Sequence, residues 1–444
     1  MSLKPVLKLF CPKPESSLLV NFTRLTSGNK ACRFAKMTEA EMKADSILMG
    51  ELGTTSFQIA QDLKTVRGGA LEQVNGIFAD AGNVRRVLNR SKGAVSIEPK
   101  LMKAVEKEGL SSYEEALGKI GDGIGSRIIT DSLPKLKRKD IMKMIEEFKV
   151  NGESLTAKQK ELLTKYIYGT KMTPAEEIEA FPLFEKFAQP LIEQRSSLVV
   201  DKLTLSIAKQ RMIKDGLTIQ EIESQNLLSP ELIHRLKTED IIPLQVKEIN
   251  NYRGMFGLPE FSSRQIQQLR KISGEKVVVN SRADMLEAGN FPTAGYTKDE
   301  MKELAIKASG YRTAQMNVVH SNGALGEIQF RGANTNVFGE FEHIAYDLRQ
   351  GKNTLGPLFD DFKSAISKLS PQQYDQYNLY LEKCYNYYNR LELGLPAKKP
   401  ELPKGFDKIL SEGSLRRLHN SNEARLKELK VGFEEHYDDF SAVA

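Results

Sequence analysis

The residues best suited to chemistry in this chain form a short alternating run, Glu327-Ile328-Gln329-Phe330-Arg331. Successive side chains of a β-strand point to opposite faces, so a strand here places the three polar residues on one side and the two apolar residues on the other. A carboxylate can take a proton from a substrate, and a guanidinium can bind an anion. A hairpin with one solvated face gives the same alternation, so the run alone indicates either a site or a wet sheet surface.

A second group of charged residues lies far upstream. Arg90 and Lys92 precede Ser96, which is a good N-cap for a helix that carries Lys100 near its start. Cations beside a helix N-terminus suit a polyphosphate, although most such clusters are ordinary solvated surface. The group is therefore a possible phosphate site and needs support from elsewhere in the chain.

Asp122 stands between two glycines, immediately before the apolar run that includes Ile128 and Ile129. A carboxylate at the mouth of a buried strand is placed where a magnesium ligand would be, since Mg²⁺ prefers oxygen ligands. An aspartate that only shapes a tight turn would show the same pattern.

The sequence predicts two blocks of strands that position these residues. The first contains residues 127–130, and the second contains residues 276–280 and a hairpin over 311–331. An Asn322-Gly323 pair supplies the positive φ angles that the hairpin turn needs. Between the two blocks, residues 132–272 are almost wholly helical in pattern, which indicates an insertion into one α/β domain.

Composition places the chain among ordinary globular proteins. It has 444 residues, 40% of them hydrophobic and 27% charged, and a net charge of +6, a mild basic bias that nucleotides or RNA would tolerate. Three scattered cysteines suit a reducing compartment and do not suggest a disulfide framework or a metal cluster. No stretch reaches the roughly 20 apolar residues of a membrane span. We expect a cytoplasmic protein, with export by a route that uses no signal peptide left open.

Five short blocks, taken together, point to one known family. They are Arg90-x-Lys92-x-x-x-Ser96-Ile97-x-x-Lys100-Leu101, Asp122-x-x-Gly125-x-Arg127-Ile128-Ile129, Lys307-x-x-Gly310-Tyr311-Arg312, Glu327-Ile328-Gln329-Phe330-Arg331, and Glu342-His343 with Tyr346. In this order and at these spacings they resemble the synthetase domain of the RelA/SpoT-like alarmone synthetases. The resemblance covers roughly residues 90–131 and 276–352.

The resemblance implies a nucleotide pyrophosphokinase, which transfers the β,γ-pyrophosphate of ATP to the ribose 3′-hydroxyl of a purine nucleotide with Mg²⁺ as cofactor. It implies that Glu327 deprotonates the hydroxyl and that Asp122 and Glu327 share the metal. The residues expected to bind ATP are Arg90, Lys92, Ser96, Lys100 and Arg127. Those expected to bind or orient the acceptor are Lys307, Tyr311, Gln329, Arg331 and His343, with Tyr311 stacking on the base.

Three departures from the family pattern concern the acceptor. Ser309 stands where the family usually has Asn, Gln315 where it has His, and Gly332 where it has Thr. The acceptor therefore stays open among GDP or GTP, ADP or ATP. The companion hydrolase domain of the family needs a His-Asp pair, and no histidine in this chain precedes an aspartate, so hydrolysis by that route is not expected.

We expect an α+β fold, in which a mixed β-sheet, nucleotidyltransferase-like synthetase domain is flanked by helices and carries a large helical insertion and helical N- and C-terminal extensions. The predicted segments are a helical N-terminal region at 1–88, the two parts of the synthetase domain at 89–131 and 273–353, the helical insertion at 132–272 and a helical C-terminal region at 354–444.

Two other functions remain open. Toxic relatives of this family pyrophosphorylate the 3′ end of tRNA, and a basic run in the insertion could hold an RNA backbone, although such runs are usually solvated helix faces. The run consists of Lys135, Lys137, Arg138, Lys139 and Lys143. A degenerate synthetase that only binds nucleotides is the other alternative, but two carboxylates near phosphates, Asp122 and Glu327, would serve a pure binder poorly. The sequence does not indicate an oligomeric state.

Overall fold

The computed structural model describes residues 68–91, 123–274, 278–280, 306–336, 338–339, 342 and 369–406. Within these ranges the labelled helices are α1 (described over 68–78), α2 (Arg138–Glu147), α3 (Ala157–Tyr168), α4 (Pro174–Asp215), α5 (Ile219–Ser224), α6 (Pro230–Thr238), α7 (Ser263–Ser273) and α8 (Pro371–Glu392). The residues described at 333–336, 338–339 and 342, after the last strand, are helical as well. The strands are β1 (Val84–Ser91), β2 (Ile124–Thr130), β3 (Lys149–Val150), β4 (Glu153–Ser154), β5 (Gln245–Tyr252), β6 (Val278–Asn280), β7 (Thr313–Val319) and β8 (Leu325–Gly332). The fold is α+β, as expected.

Six of these strands form one mixed sheet in the order β1-β2-β8-β7-β5-β6. The pairs β2–β8 and β5–β6 are parallel, and the pairs β1–β2, β8–β7 and β7–β5 are antiparallel. The strand that carries Glu327 is thus central, with β2 on one side and β7 on the other. Because a central strand is hydrogen-bonded along both edges, its side chains are held in fixed positions.

The predicted hairpin is confirmed as β7 and β8. Its turn closes through hydrogen bonds from the Gly323 amide to the His320 carbonyl (2.8 Å) and from the His320 amide to the Ala324 carbonyl (2.9 Å). Gly323 alone takes the positive φ, at 81°, and Asn322 instead uses its Oδ1 to accept from the Ala324 amide at 3.1 Å. The turn residues are those expected, but only one of them adopts the left-handed conformation.

The apolar face of the sheet packs against helices. Ile128, Met316, Ile328 and Phe330 project from three neighbouring strands into a core that also takes side chains from α1, α4 and α7. Phe330 makes edge contacts with Phe78 of α1 at 5.5 Å between ring centroids. Side chains alternate along each strand, so burial of this face turns the opposite one away from the core. We call that opposite face, which carries Glu327, Gln329 and Arg331, the polar face.

The main correction to the predicted helical insertion is that it contains a strand of the six-stranded sheet. Residues 245–252 form β5, a strand of the same sheet that pairs with β7 and β6. The register of β5 shifts between Val246 and Glu248, so the apolar residues Val246 and Ile249 stand three apart and imitate helical spacing. The stretch 132–272 therefore contributes to the sheet instead of only interrupting it. In addition, β1 begins at Val84, inside the region predicted to be helical, and β3 with β4 forms a small separate hairpin.

A cluster of four buried charged side chains joins α4 and α8 to the sheet, and we call it the ionic junction. Arg312, just before β7, contacts Glu260 at 2.6 Å and Glu392 of α8 at 3.0 Å, and Arg195 of α4 contacts Glu260 at 2.9 Å. At most 2% of each of these side chains is exposed. Such pairs are strongly destabilising to break, because the remaining charge stays buried without its partner.

In the part of the chain that the structure describes, no helix has both the length and the apolar character to cross a bilayer.

Candidate functional site

The centre of the polar face is the carboxylate of Glu327. Gln315 of β7 donates from Nε2 to Glu327 Oε2 at 2.5 Å, and Gln329 donates from Nε2 to Oε1. These two amides stand opposite each other across the β7–β8 pair, so the sheet register itself brings them to the carboxylate. A carboxylate accepts about four hydrogen bonds in total. The amides therefore fix the orientation of Glu327 and leave acceptor positions for a ligand.

On the β2 side, the neighbour of Glu327 in the sheet register is Gly125, which has no side chain. Two residues further along β2, Arg127 lies opposite Gln329 and donates from Nη1 to Asn336 Oδ1 at 3.0 Å. A guanidinium thus stands one strand away from the carboxylate, held by an amide from the residues that follow β8.

The second guanidinium, that of Arg331, is engaged with an aromatic ring. Its Nη2 donates to the hydroxyl of Tyr311, and its Cζ lies 4.8 Å from the centroid of the same ring. Burial raises the pKa of Tyr311, the cation of Arg331 opposes that shift, and the charge of Glu327 adds to it. Arg331 is itself buried, whereas Tyr311 is partly exposed. The Tyr311 ring is therefore rigidly held at the edge of the polar face, with its hydroxyl protonated at neutral pH.

A second tyrosine lies beside the first. Burial raises the pKa of Tyr252 on β5 to about 12, with further contributions from the charges of Glu248 and Glu327. Lys307 places its ammonium 4.1 Å from the centroid of the Tyr252 ring. The interaction of a cation with the negative face of an aromatic ring holds this lysine near the site.

Sequence reasoning missed the residues of β5. Glu248 accepts from Asn317 Nδ2 at 2.7 Å and from Asn250 Nδ2 at 2.8 Å, which fixes a second carboxylate on the polar face. Asn317 is the neighbour of both Glu248 and Glu327 in the sheet register, so the two carboxylates stand at the same level on alternate strands. The signal was present as polar residues at every second position, Glu248, Asn250 and Tyr252. The register shift at the start of β5 hid it.

The structure brings together Glu327, Gln329, Arg331, Arg127, Tyr311 and Lys307. The backbone of Arg90 lies in β1 opposite Gly125, on the strand next to Arg127. The remaining expected site residues, Asp122, Lys92, Ser96, Lys100 and His343, lie outside the described residues. The predicted face of the hairpin is thus assembled, and the predicted phosphate-binding segment stays a prediction.

A magnesium ion would find oxygen ligands on this face. No group of three or more His, Cys, Asp or Glu side chains that could hold a metal occurs among the described residues, which do not include Asp122. The oxygens that fit are those of the Glu327 carboxylate and Oε1 of Gln329, a buried atom that has no hydrogen-bond partner among the described residues. Mg²⁺ prefers such oxygen ligands and commonly takes only one or two carboxylates from the protein. The donor set is therefore chemically suitable for this ion.

Comparison with known proteins adds nothing to this geometry: no protein-family model, no curated protein and no solved structure matches the chain.

Proposed function

We propose that the protein is a magnesium-dependent nucleotide pyrophosphokinase built on a nucleotidyltransferase-like sheet. The observation that carries the proposal is the oriented carboxylate of Glu327 on a central strand, beside a glycine of the neighbouring strand. The guanidinium of Arg127 lies on that neighbouring strand, two residues beyond the glycine. A general base next to cations suits the attack of a hydroxyl on an anionic phosphate. The resemblance of five sequence blocks to the RelA/SpoT-like synthetases supports the same reaction.

In this reaction Glu327 accepts the proton of the acceptor's ribose 3′-hydroxyl. The oxygen then forms a bond to the β-phosphorus of ATP, the bond from that phosphorus to the oxygen bridging the α- and β-phosphates breaks, and AMP leaves. The amides of Gln315 and Gln329 keep the carboxylate aimed at the hydroxyl. A magnesium ion held by Glu327, and by Asp122 as the sequence suggests, would neutralise charge on the phosphates.

The remaining residues have separate roles. Arg127, with Arg90, Lys92 and Lys100 of the upstream block, binds the phosphates of ATP. Arg331 packs against one face of the Tyr311 ring, so the acceptor base stacks on the other face. Lys307 neutralises the phosphates of the acceptor from its position over Tyr252. The product is an alarmone of the (p)ppGpp type or its adenosine counterpart.

The test is to incubate the purified protein with Mg²⁺ and ATP labelled in the γ-phosphate, offering GDP, GTP, ADP, ATP and bulk tRNA separately. We expect label to appear in a nucleotide acceptor, and to disappear in Glu327→Gln. The matched control is Glu153→Gln, on the exposed β3–β4 hairpin, which should keep wild-type turnover. Absence of transfer to every acceptor, with ATP still bound, would favour a degenerate nucleotide-binding module and would refute the enzyme.

A second acceptor, tRNA, is favoured by one observation. All five members of the basic run between β2 and α2 and on α2 are exposed, namely Lys135, Lys137, Arg138, Lys139 and Lys143. Transfer of label to tRNA alone would select this alternative. Substitution of three of the lysines by glutamine would then weaken transfer to tRNA and reduce its dependence on salt concentration, whereas transfer to a mononucleotide would not change.

A further inference from the structure

The end of α8 supplies a buried carboxylate that reaches into the sheet. Glu392 lies outside the blocks that resemble the alarmone synthetases, and its side chain is fully buried. Its Oε1 accepts from the backbone amide of Thr335 at 2.6 Å, and its Oε2 accepts from Arg312 Nη1 at 3.0 Å. The two oxygens thus hold two different segments, one before β7 and one after β8.

Gly332, the last residue of β8, makes room for this carboxylate. A Cβ atom at position 332 would overlap the carboxyl group of Glu392. The chain therefore lacks a side chain at the end of the candidate catalytic strand because a side chain from α8 occupies the space. This also gives a physical reason for one of the three departures noted in the sequence.

Each segment held by Glu392 continues directly into the candidate site. Thr335 precedes Asn336, whose Oδ1 accepts from Arg127 at 3.0 Å. Arg312 follows Tyr311, whose ring is held against Arg331. The Glu392 carboxylate therefore holds Thr335, the neighbour of the Asn336 that contacts Arg127 on the ATP-binding side. It also holds Arg312, the neighbour of Tyr311, on which we propose that the acceptor base stacks.

We propose that Glu392 is a positioning residue, through which α8 sets the places of Arg127 and Tyr311 for both substrates. The inference rests on the proposed function and extends it to the C-terminal region. Its consequence is that loss of the Glu392 contacts weakens the binding of ATP and of the acceptor together, because both positions depend on the same carboxylate.

The test compares Glu392→Gln and Gly332→Ala with the wild-type protein, using kcat and KM for ATP and for the acceptor that takes up label in the transfer assay. The glutamine keeps an acceptor for Thr335 and loses the charge facing Arg312, and the alanine displaces the carboxylate. We expect each variant to raise both KM values about 10-fold, because both substrates then bind more weakly. The change in kcat should be smaller. The double variant should be no worse than either single variant, because both act on one contact.

A stability control separates positioning from folding. Leu163→Ala removes a fully buried side chain of α3, in a core cluster that takes no side chain from the six-stranded sheet, and should lower the thermal midpoint without changing either KM. Unchanged KM values in Glu392→Gln, or defects that multiply in the double variant, would overturn the positioning role. If Glu392→Gln fails to fold, Gly332→Ala alone decides by the same KM criterion. A wild-type protein that transfers to no acceptor would instead refute the proposed function, and this inference with it.

Discussion

The polar face and the ionic junction both concentrate charge, and they use it in opposite ways. On the polar face, neutral amides hold Glu327 and Glu248, and the face is partly exposed. In the junction, Arg195, Glu260, Arg312 and Glu392 bind one another out of contact with water. An amide orients a carboxylate without neutralising it. A guanidinium neutralises the charge of the carboxylate and can also donate to the lone pairs of its oxygens.

This difference separates groups available to a substrate from groups committed to the fold. Charges at a catalytic site must keep part of their bonding capacity for the transition state. Charges in the interior must be satisfied before any ligand arrives, since a buried ion without a partner is costly. The same residue types therefore support different predictions in the two regions. We expect loss of turnover on the polar face and loss of stability in the junction, with weaker substrate binding as well where Glu392 is the residue changed.

The largest expected effect on activity comes from Glu327→Gln. The glutamine amide cannot take the proton of the acceptor's ribose 3′-hydroxyl. We therefore expect kcat to fall by about 10²–10⁴-fold, the usual contribution of a general base. The substitution keeps the shape of the side chain, so the thermal midpoint should stay close to that of the wild type. Measuring both quantities on one preparation checks the contrast. A variant that keeps near-normal turnover would remove Glu327 from the mechanism.

The largest expected effect on stability comes from Glu260→Gln in the ionic junction. Glu260 contacts two buried guanidiniums, and removal of its charge leaves both dependent on Glu392. Breaking such a buried pair typically costs about 3–5 kcal/mol of the free energy of unfolding, which urea titration measures.

The control for this variant is Arg85→Gln. Arg85 pairs with Asp131 at 2.6 Å with 37% and 42% of the side chains exposed, so its loss should cost no more than about 1 kcal/mol. Similar losses in the two variants would mean that the junction contributes no more than a surface pair.

The hairpin and its polar face could be predicted from sequence because their signals are local. A period-two alternation at 327–331 and an Asn-Gly turn are read within a few residues, and both are confirmed. The polar face could not be completed in this way. Glu248 and Asn317 come together through the pairing of β5 with β7, which are about 60 residues apart in sequence, and a register shift disguises β5 as helix.

The ionic junction could not be predicted from sequence at all. Arg195, Glu260, Arg312 and Glu392 show no periodicity or motif in common, and only the packing of α4 and α8 on the sheet brings them together. For Gln315, the position in the hairpin could be predicted from sequence, but its contact could not. It departs from the family pattern in sequence, but the structure shows that it donates to Glu327.

His320 tests a third kind of buried group, one that titrates without an ionic partner. Its Nδ1 lies 3.0 Å from Gln73 Oε1, and its Nε2 faces the backbone of Gly326, with no hydrogen-bond partner in the part of the chain that the structure describes. Burial lowers the pKa of His320 to about 4, below the ordinary value of 6.5. As the pH falls from 6.5 towards 4, the unfolded chain binds this proton and the folded protein does not, so the free energy of unfolding decreases.

The contribution of this one group cannot exceed about 1.4 kcal/mol per pH unit within that window. His320→Gln should therefore give a shallower acid dependence between pH 6.5 and 4 in urea titrations. Gln220→Ala, which changes an exposed side chain of α5 that does not titrate, should leave the slope of the wild type unchanged. An unchanged slope in His320→Gln would show that the imidazole is already protonated or accessible in the folded protein.

The smallest expected effect, and the sharpest test of how the polar face works, comes from Gln315→Ala. Loss of the amide that donates to Glu327 Oε2 leaves the base held by Gln329 alone, so kcat should fall about 10-fold, or about 1.4 kcal/mol in activation free energy, with little change in stability. Asn317→Ala is the matched control, because this amide lies on the same strand and face but donates to Glu248. Equal losses of kcat in the two variants would contradict a role confined to Glu327. They would mean instead that the two carboxylates act as one unit, linked by the amides of β7.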